Sequence, residues 1–371
     1  MPTLQELKDK YNVKQVWSWS RYKLYKEDKY SYFLRYILKT LPDMPSGRYS
    51  ELGSACHKIL EDLYNGLIKY SEMPKLFHDA VLDADIKQLK YDRGDPEKNV
   101  KIKRKYEASI DLFFKNHNKI PYKVKSEAYI LTLIYGYLFQ GYVDASHNED
   151  GNLVITDWKT STIYKGEKLE KEKGQLLIYA IAFSNHGVPV DKIRLRWNFM
   201  KYVDVDTELI NGSKKTRTIL RCELGKSLNS NAKSWLNKLG YKDEAEDYLD
   251  QLFESNDIHC LPKEVQDKYK VRDCYVYVEC DEKMLQDFQR SIAGTLDEAN
   301  EKIIAYENTM DEDIWWEEVT ADKSYFLANL SDYSAKIHKP YKKYLESLQE
   351  EKNSNALLDR KEDWIQKLFE E

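Results

Sequence analysis

No stretch of this chain approaches the roughly 20 consecutive apolar residues that a membrane helix requires, so no membrane is expected as a partner. The opening Met-Pro-Thr-Leu-Gln-Glu-Leu-Lys lacks a signal peptide's apolar core. That points to the cytoplasm. The five cysteines, Cys56, Cys222, Cys260, Cys274 and Cys280, are scattered, and none forms a Cys-x-x-Cys pair. Reduced structural thiols fit them better than a disulfide framework or a zinc ribbon. Nor is there an excess of positive charge: 58 Lys and Arg against 63 Asp and Glu give a formal net charge of −5. This balance excludes binding to nucleic acid through overall charge and leaves that task to local patches. The chain has no Gly-x-x-x-x-Gly-Lys-Ser/Thr loop, so any ATP-driven unwinding must come from another protein. It also has no internal repeat and no low-complexity linker. Its 371 residues suffice for one large domain or two ordinary ones.

Basic patches are present at Lys101-Ile-Lys-Arg-Lys105, at Arg194 and Arg196, at Lys214-Lys215 with Arg217, and from Lys336 to Lys343. The chain's 29 tyrosines and 8 tryptophans offer faces on which bases can stack. Taken alone, each run reads more simply as a solvated surface. The order of elements is more telling. An aromatic-rich helix or helix pair is expected from Trp17 to Leu38, then helices from near Leu52, from Met73 to about Lys90 and from Val100 to His117. Strands follow at Ala128–Leu133, Tyr135–Ala145 and around Leu153, then a helix from about Lys173 to Asn185. In the next strand Ile193, Leu195, Trp197 and Phe199 are expected to face the core and Arg194, Arg196 and Asn198 to face out; the turn Asn211-Gly-Ser-Lys214 leads to its partner. Beyond Gly225 the pattern is mostly helical, with one alternating strand at Cys274–Glu279 and a long amphipathic helix carrying Leu285, Phe288, Ile292, Leu296, Ala299 and Ile303.

The chemistry concentrates in Gly141-Tyr-Val-Asp144 and Leu153-Val-Ile-Thr-Asp-Trp-Lys-Thr-Ser161. The turn Asn148-Glu-Asp-Gly-Asn152 folds the second strand back on the first, so Asp144 and Asp157 can face each other. Alternation puts Asp157 and Lys159 on one face and Trp158 on the other. Two carboxylates and an ammonium at adjacent strand ends suit metal-dependent phosphodiester cleavage. On the helix near Leu52, Ile59, Leu63 and Leu67 form an apolar stripe, while His57, Glu61 and Tyr64 lie on another face. Gln175 and Tyr179, at i and i+4, share one face of their helix.

Taken together, Gly53-Ser-Ala-Cys-His57, Gly141-Tyr-Val-Asp144, Asp157-Trp-Lys159 and Gln175-Leu-Leu-Ile-Tyr179 resemble the PD-(D/E)XK nuclease superfamily, in its RecB-like branch. A lone Asp-x-Lys says little in a charged chain; four elements in the right order say much more. The resemblance covers about Trp17 to Phe199. It implies an α/β fold, a mixed central sheet flanked by helices (a restriction-endonuclease-like core), with a mostly helical C-terminal elaboration. The nuclease core with its helical N-terminal segment is assigned to residues 1–225, and the elaboration packing back on it to 226–371.

By the resemblance, Asp144 and Asp157 are metal ligands, joined by His57 and the backbone carbonyl of Trp158. Catalytic roles fall to Asp144, Asp157, Lys159, Gln175 and Tyr179. Glu61, and Glu127 just before the first strand, stand where an acid could join the site. Oxygen donors and an imidazole suit Mg²⁺ or Mn²⁺. Many RecB-like nucleases hold an iron–sulfur cluster on one N-terminal and three C-terminal cysteines. Here Asp28, Ala335, His338 and Tyr344 stand at those places, so no cluster is expected, and tyrosine-rich packing is expected to replace it. The implied activity is that of a metal-dependent DNA nuclease, an exonuclease in DNA processing, recombination or replication, with DNA as substrate and a separate helicase or other replication or recombination protein as partner. A structure-specific or restriction-like endonuclease, or a non-catalytic DNA-binding or assembly subunit, are the alternatives.

Overall fold

Two tight turns set the centre of the fold. In the computed structural model, strand β2 (Lys125–Ile134) joins β3 (Tyr137–Glu149) through Tyr135 and Gly136, both left-handed at φ 48° and 86°. Strand β3 joins β4 (Asn152–Lys159) through Asp150 and Gly151, at φ 47° and 78°. Two-residue turns with positive φ at both positions match the twist of the strands they connect, which favours Asp-Gly and tolerates Tyr-Gly. The structure describes residues 3–353, so residues 1–2 and 354–371 of the two expected domains lie outside the described residues. The described residues form two compact units. One holds the residues up to Trp19, Arg48–Tyr91 and Pro96–Ile292; the other holds Ser20–Gly47, Asp92–Asp95 and the residues from Ala293 on.

The first unit carries a mixed sheet. Short β1 (Val16–Trp17) pairs parallel with β3, β2 and β4 pair antiparallel with β3, and β4 runs parallel to β5 (Ile193–Glu208). Strand β5 also pairs antiparallel with β6 (Lys214–Leu220) and β7 (Tyr269–Val278), so the sheet takes in a strand well beyond Gly225. Helices α1 (Arg48–Tyr64), Met73–Ile86 and α2 (Pro96–Asn116) build one core: Leu52, Cys56, Leu60, Phe77, Ile110 and Phe113 close over Trp158 and Ala145. Helix α1 ends at Tyr64, so the apolar stripe stops at Leu63 and Leu67 is exposed. Helix α3 (Gly174–Asn185) provides the crossover between β4 and β5 that two parallel strands need.

Strand β5 corrects one expectation. Arg196 and Asn198 do not face out; both are buried. The strand is flanked by partners on both edges and covered on both faces. Arg196 donates to the Thr156 hydroxyl at 2.9 Å, and its guanidinium lies 4.0 Å from the Tyr275 ring. A second core gathers Val203, Val205, Ile219 and Val265 with Leu224, Leu228 and Trp235 of α4 (Leu224–Lys238) and Leu249 and Leu252 of the helix Ala245–Ser255. Gly225 lets those two helices meet: a Cβ there would lie 2.0 Å from the Leu252 carbonyl oxygen.

In the second unit Phe33 stacks on Trp315 at 5.4 Å, with Tyr306 edge-on at 4.9 Å. Beside these rings is a polar contact. Buried Asp28 faces Nε2 of buried His338 at 3.2 Å, accepts from the Ser31 hydroxyl at 2.6 Å and has the Lys323 ammonium at 3.5 Å. The Tyr341 N–H donates to Nδ1 of His338, so Nε2 carries the proton shared with Asp28. Two of the residues standing at expected cysteine places are thus bonded to each other. The five cysteines all belong to the first unit.

Candidate active site

Strand register brings the acids together. Ala145 pairs with Thr156, so Asp144 and Asp157 stand opposite each other one step further along β3 and β4. On the other edge of β3, Ser126 pairs with Ala145 and Ala128 with Val143, which places Glu127 opposite Asp144 as well. Glu127 takes a left-handed backbone, φ 48°, inside a strand. For a non-glycine residue this costs on the order of 1–3 kcal/mol, a strain typical of functional positions. Donor atoms of His57, Glu127 and Asp144 all lie within 4.8 Å of one another.

Each member is held by neighbours. The backbone N–H of Trp158 donates to Asp144 Oδ2 at 2.8 Å, and His57 Nδ1 of α1 stands 3.3 Å from the same oxygen. Lys159 Nζ contacts Asp157 Oδ2 at 2.7 Å and donates to Gln175 Oε1 at 3.0 Å. Gln175 Nε2 donates to the Tyr179 hydroxyl at 2.8 Å, which donates to the Tyr142 carbonyl at 2.6 Å. One face of α3 is thereby tied to the lysine and to β3. Gly141 makes room for this, because a Cβ there would come within 3.3 Å of Tyr179 Cε1.

Trp158 turns away from the acids, and its ring stacks on Tyr64 of α1 at 5.7 Å and 10°. The Tyr64 hydroxyl accepts from the Ile120 N–H and bonds His117 Nε2 at 3.0 Å. His117 Nδ1 reaches Asp273 at 3.2 Å, and Arg221 donates to the same carboxylate at 2.5 Å. A network from Asp273 of β7 and from His117, just past the end of α2, thus fixes through Tyr64 the residue that lies between Asp157 and Lys159.

The electrostatics are those of crowded acids. Burial pushes the Asp157 carboxyl up, and the charge of Asp144 adds to this against the pull of Lys159. Burial likewise raises Glu127, with Asp144 adding to it. Asp144 moves down: burial opposes its charge, but His57 and Lys159 outweigh that. Burial disfavours the charged forms of His57 and Lys159, yet the neighbouring carboxylates raise both. Asp157 is fully buried, and its Oδ1 has no protein donor among the described residues.

The family model of the PD-(D/E)XK nuclease superfamily matches residues 16–274. The chain belongs to that superfamily. No curated protein matches the chain. Membership gives it a restriction-endonuclease-like fold and implies nuclease activity, and nucleases of this superfamily use divalent metals. The donor set fits such an ion: carboxylate oxygens and one imidazole converge, and beside them Asp157 Oδ1 is buried with no protein donor among the described residues.

Of the residues named from sequence, His57 and Asp144 sit in the tight donor group, and Asp157, Lys159, Gln175 and Tyr179 line up beside it. Glu61 instead pairs with Lys58 at 3.0 Å. Glu127 was named from sequence only as an acid that could join the site, just before the first expected strand; the structure places it inside β2, opposite Asp144. Tyr64, His117, Asp273 and Arg221 carried no sequence signal beyond Tyr64's position two turns past His57. Among the described residues no helix is long and apolar enough to cross a membrane.

Proposed function

We propose that this superfamily member is a Mg²⁺- or Mn²⁺-dependent deoxyribonuclease of the RecB-like kind, working as an exonuclease in DNA processing, recombination or replication beside a separate helicase or other replication protein. The observation that supports it most is the convergence of His57, Glu127 and Asp144 next to the Asp157–Lys159 pair. His57, Asp144, Asp157 and the Trp158 carbonyl would hold the ion, with Glu127 added to that set. When bound, such an ion polarises the phosphate and lowers the pKa of water. Lys159 orients the attacking water and stabilises charge growing on the phosphoryl oxygens. Gln175 keeps the lysine aimed, and Tyr179 keeps Gln175 in place through the Tyr142 carbonyl. Asp144, bonded to the Trp158 N–H, keeps β3 and β4 in register at the reacting point.

Incubation of labelled linear and covalently closed circular DNA with Mn²⁺ tests the reading. Degradation of linear DNA alone supports the exonuclease. Cutting of circles would replace it with an endonuclease, and inertness on both would leave a DNA-binding or assembly subunit.

A further inference from the structure

Strand β5 has one edge occupied by β7, at Leu195–Asn198 and again at Val203–Thr207. A strand has two edges, so β4 and β6 must share the other. Strand β4 covers that edge as far as Phe199, the partner of Lys159, and β6 takes over at Tyr202. Met200 and Lys201 fall in the gap, within the irregular stretch between Asn198 and Val203. The gap lies midway along β5, just past the carboxyl end of β4, the strand that carries Asp157 and Lys159.

Lys201 is 8% exposed and has no carboxylate or hydrogen-bond acceptor among the described residues. Its ammonium has only the rings of Tyr106 and Tyr202, at 5.4 Å and 5.9 Å. Its one charged neighbour of note is another cation: burial, and then the charge of Lys168, bring its pKa down to about 8. Lys168 is exposed, makes no ion pair among the described residues, and stands 5.1 Å over the Tyr164 ring. Tyr164 feels the charge of Lys159 and packs on Trp197 and Phe199. Lys159, Tyr164, Lys168 and Lys201 are thus linked one to the next, by charge or by a ring face, between the active site and the gap. A mostly buried ammonium with no counter-ion is costly in the free protein, so an anion from outside is the partner its position calls for.

We propose that Lys201, with Lys168 beside it, seats a backbone phosphate of the bound strand next to the phosphate being cut. The inference rests on the nuclease reading above and adds the residues that would hold the substrate at a distance from the metal ligands. Lys201 acts as a positioning residue: it sets where the strand lies, while Lys159 serves the reacting phosphate.

The test is fluorescence anisotropy with a labelled oligonucleotide, single-stranded and duplex, in Ca²⁺ so that the strand stays intact, over a series of salt concentrations. Each phosphate contact removed lowers the slope of log affinity against log salt by about 0.7 for single strands and about 0.9 for duplex. Lys201→Met and Lys168→Met are each expected to lose about that much, with thermal stability unchanged in Lys168→Met and unchanged or raised in Lys201→Met, because an uncompensated buried charge is gone. A purely structural lysine would lower stability and leave the slope alone. Parental slopes in both variants, with the parent binding normally, would overturn this inference and leave the nuclease reading standing. Failure of the parent to bind either oligonucleotide would overturn both. Lys168 is exposed, so its variant remains informative even if Lys201→Met fails to fold.

Discussion

Asp28 offers a test that requires no substrate. Its carboxylate is 1% exposed, and burial alone would push its pKa up. The hydrogen bonds from His338 and Ser31, together with the positive charge beside it, from Lys323 among others, outweigh burial and bring it down to about 2, against an ordinary 3.8. A carboxyl whose folded-state pKa lies below its unfolded value stabilises the fold fully above the unfolded value, and that contribution disappears as pH falls through the folded one. At about 1.36 kcal/mol per pH unit, the interval from 3.8 to about 2 corresponds to about 2.4 kcal/mol. Asp28→Asn keeps the shape and removes the charge, and near neutral pH it should destabilise the protein by about 3–5 kcal/mol, the usual cost of breaking a buried pair. Urea unfolding of parent and variant, followed by tryptophan fluorescence and repeated from about pH 5 down to about pH 2, gives the difference curve. Other carboxylates titrate in both proteins and cancel. The difference should narrow by about 2 kcal/mol toward the acid end. Parallel acid profiles would refute the argument, because they would mean that Asp28 titrates like an ordinary carboxyl.

Lys159→Ala should lower turnover by about 10²–10³-fold or more, as loss of a charge-stabilising donor does, while DNA and metal binding stay near parental in equilibrium titrations. Gly225→Ala should destabilise the protein by about 1–3 kcal/mol in chemical denaturation, because the atom its Cβ would meet at 2.0 Å is backbone and cannot swing aside. Stability equal to the parent's would show that the two helices have room to separate.

What the sequence disclosed was local. The Asp150–Gly151 turn, the alternation that separates Trp158 from Asp157 and Lys159, and the i, i+4 spacing of Gln175 and Tyr179 are all written within a few residues, and the structure has each of them. Glu127 was harder to read, because its place beside Asp144 depends on a left-handed residue in the middle of a strand, which no side-chain pattern announces. Arg196 and Asn198 alternate like surface residues, and only the packing on both faces of β5 explains their burial. The gap at Lys201 comes from the hand-over between β4 and β6, a property of register. Asp28 and His338 stand far apart in the chain, so only the fold could reveal their contact.

The account turns on one cation site, and Mn²⁺ binding measured by electron paramagnetic resonance tests it most directly. The parent is expected to bind the ion. His57→Ala, Glu127→Gln and Asp144→Asn are each expected to weaken binding by at least about 10-fold, the lower end of what removing even an outer partner of a metal site costs. Parental Mn²⁺ affinity in all three variants would place the metal elsewhere and contradict the account.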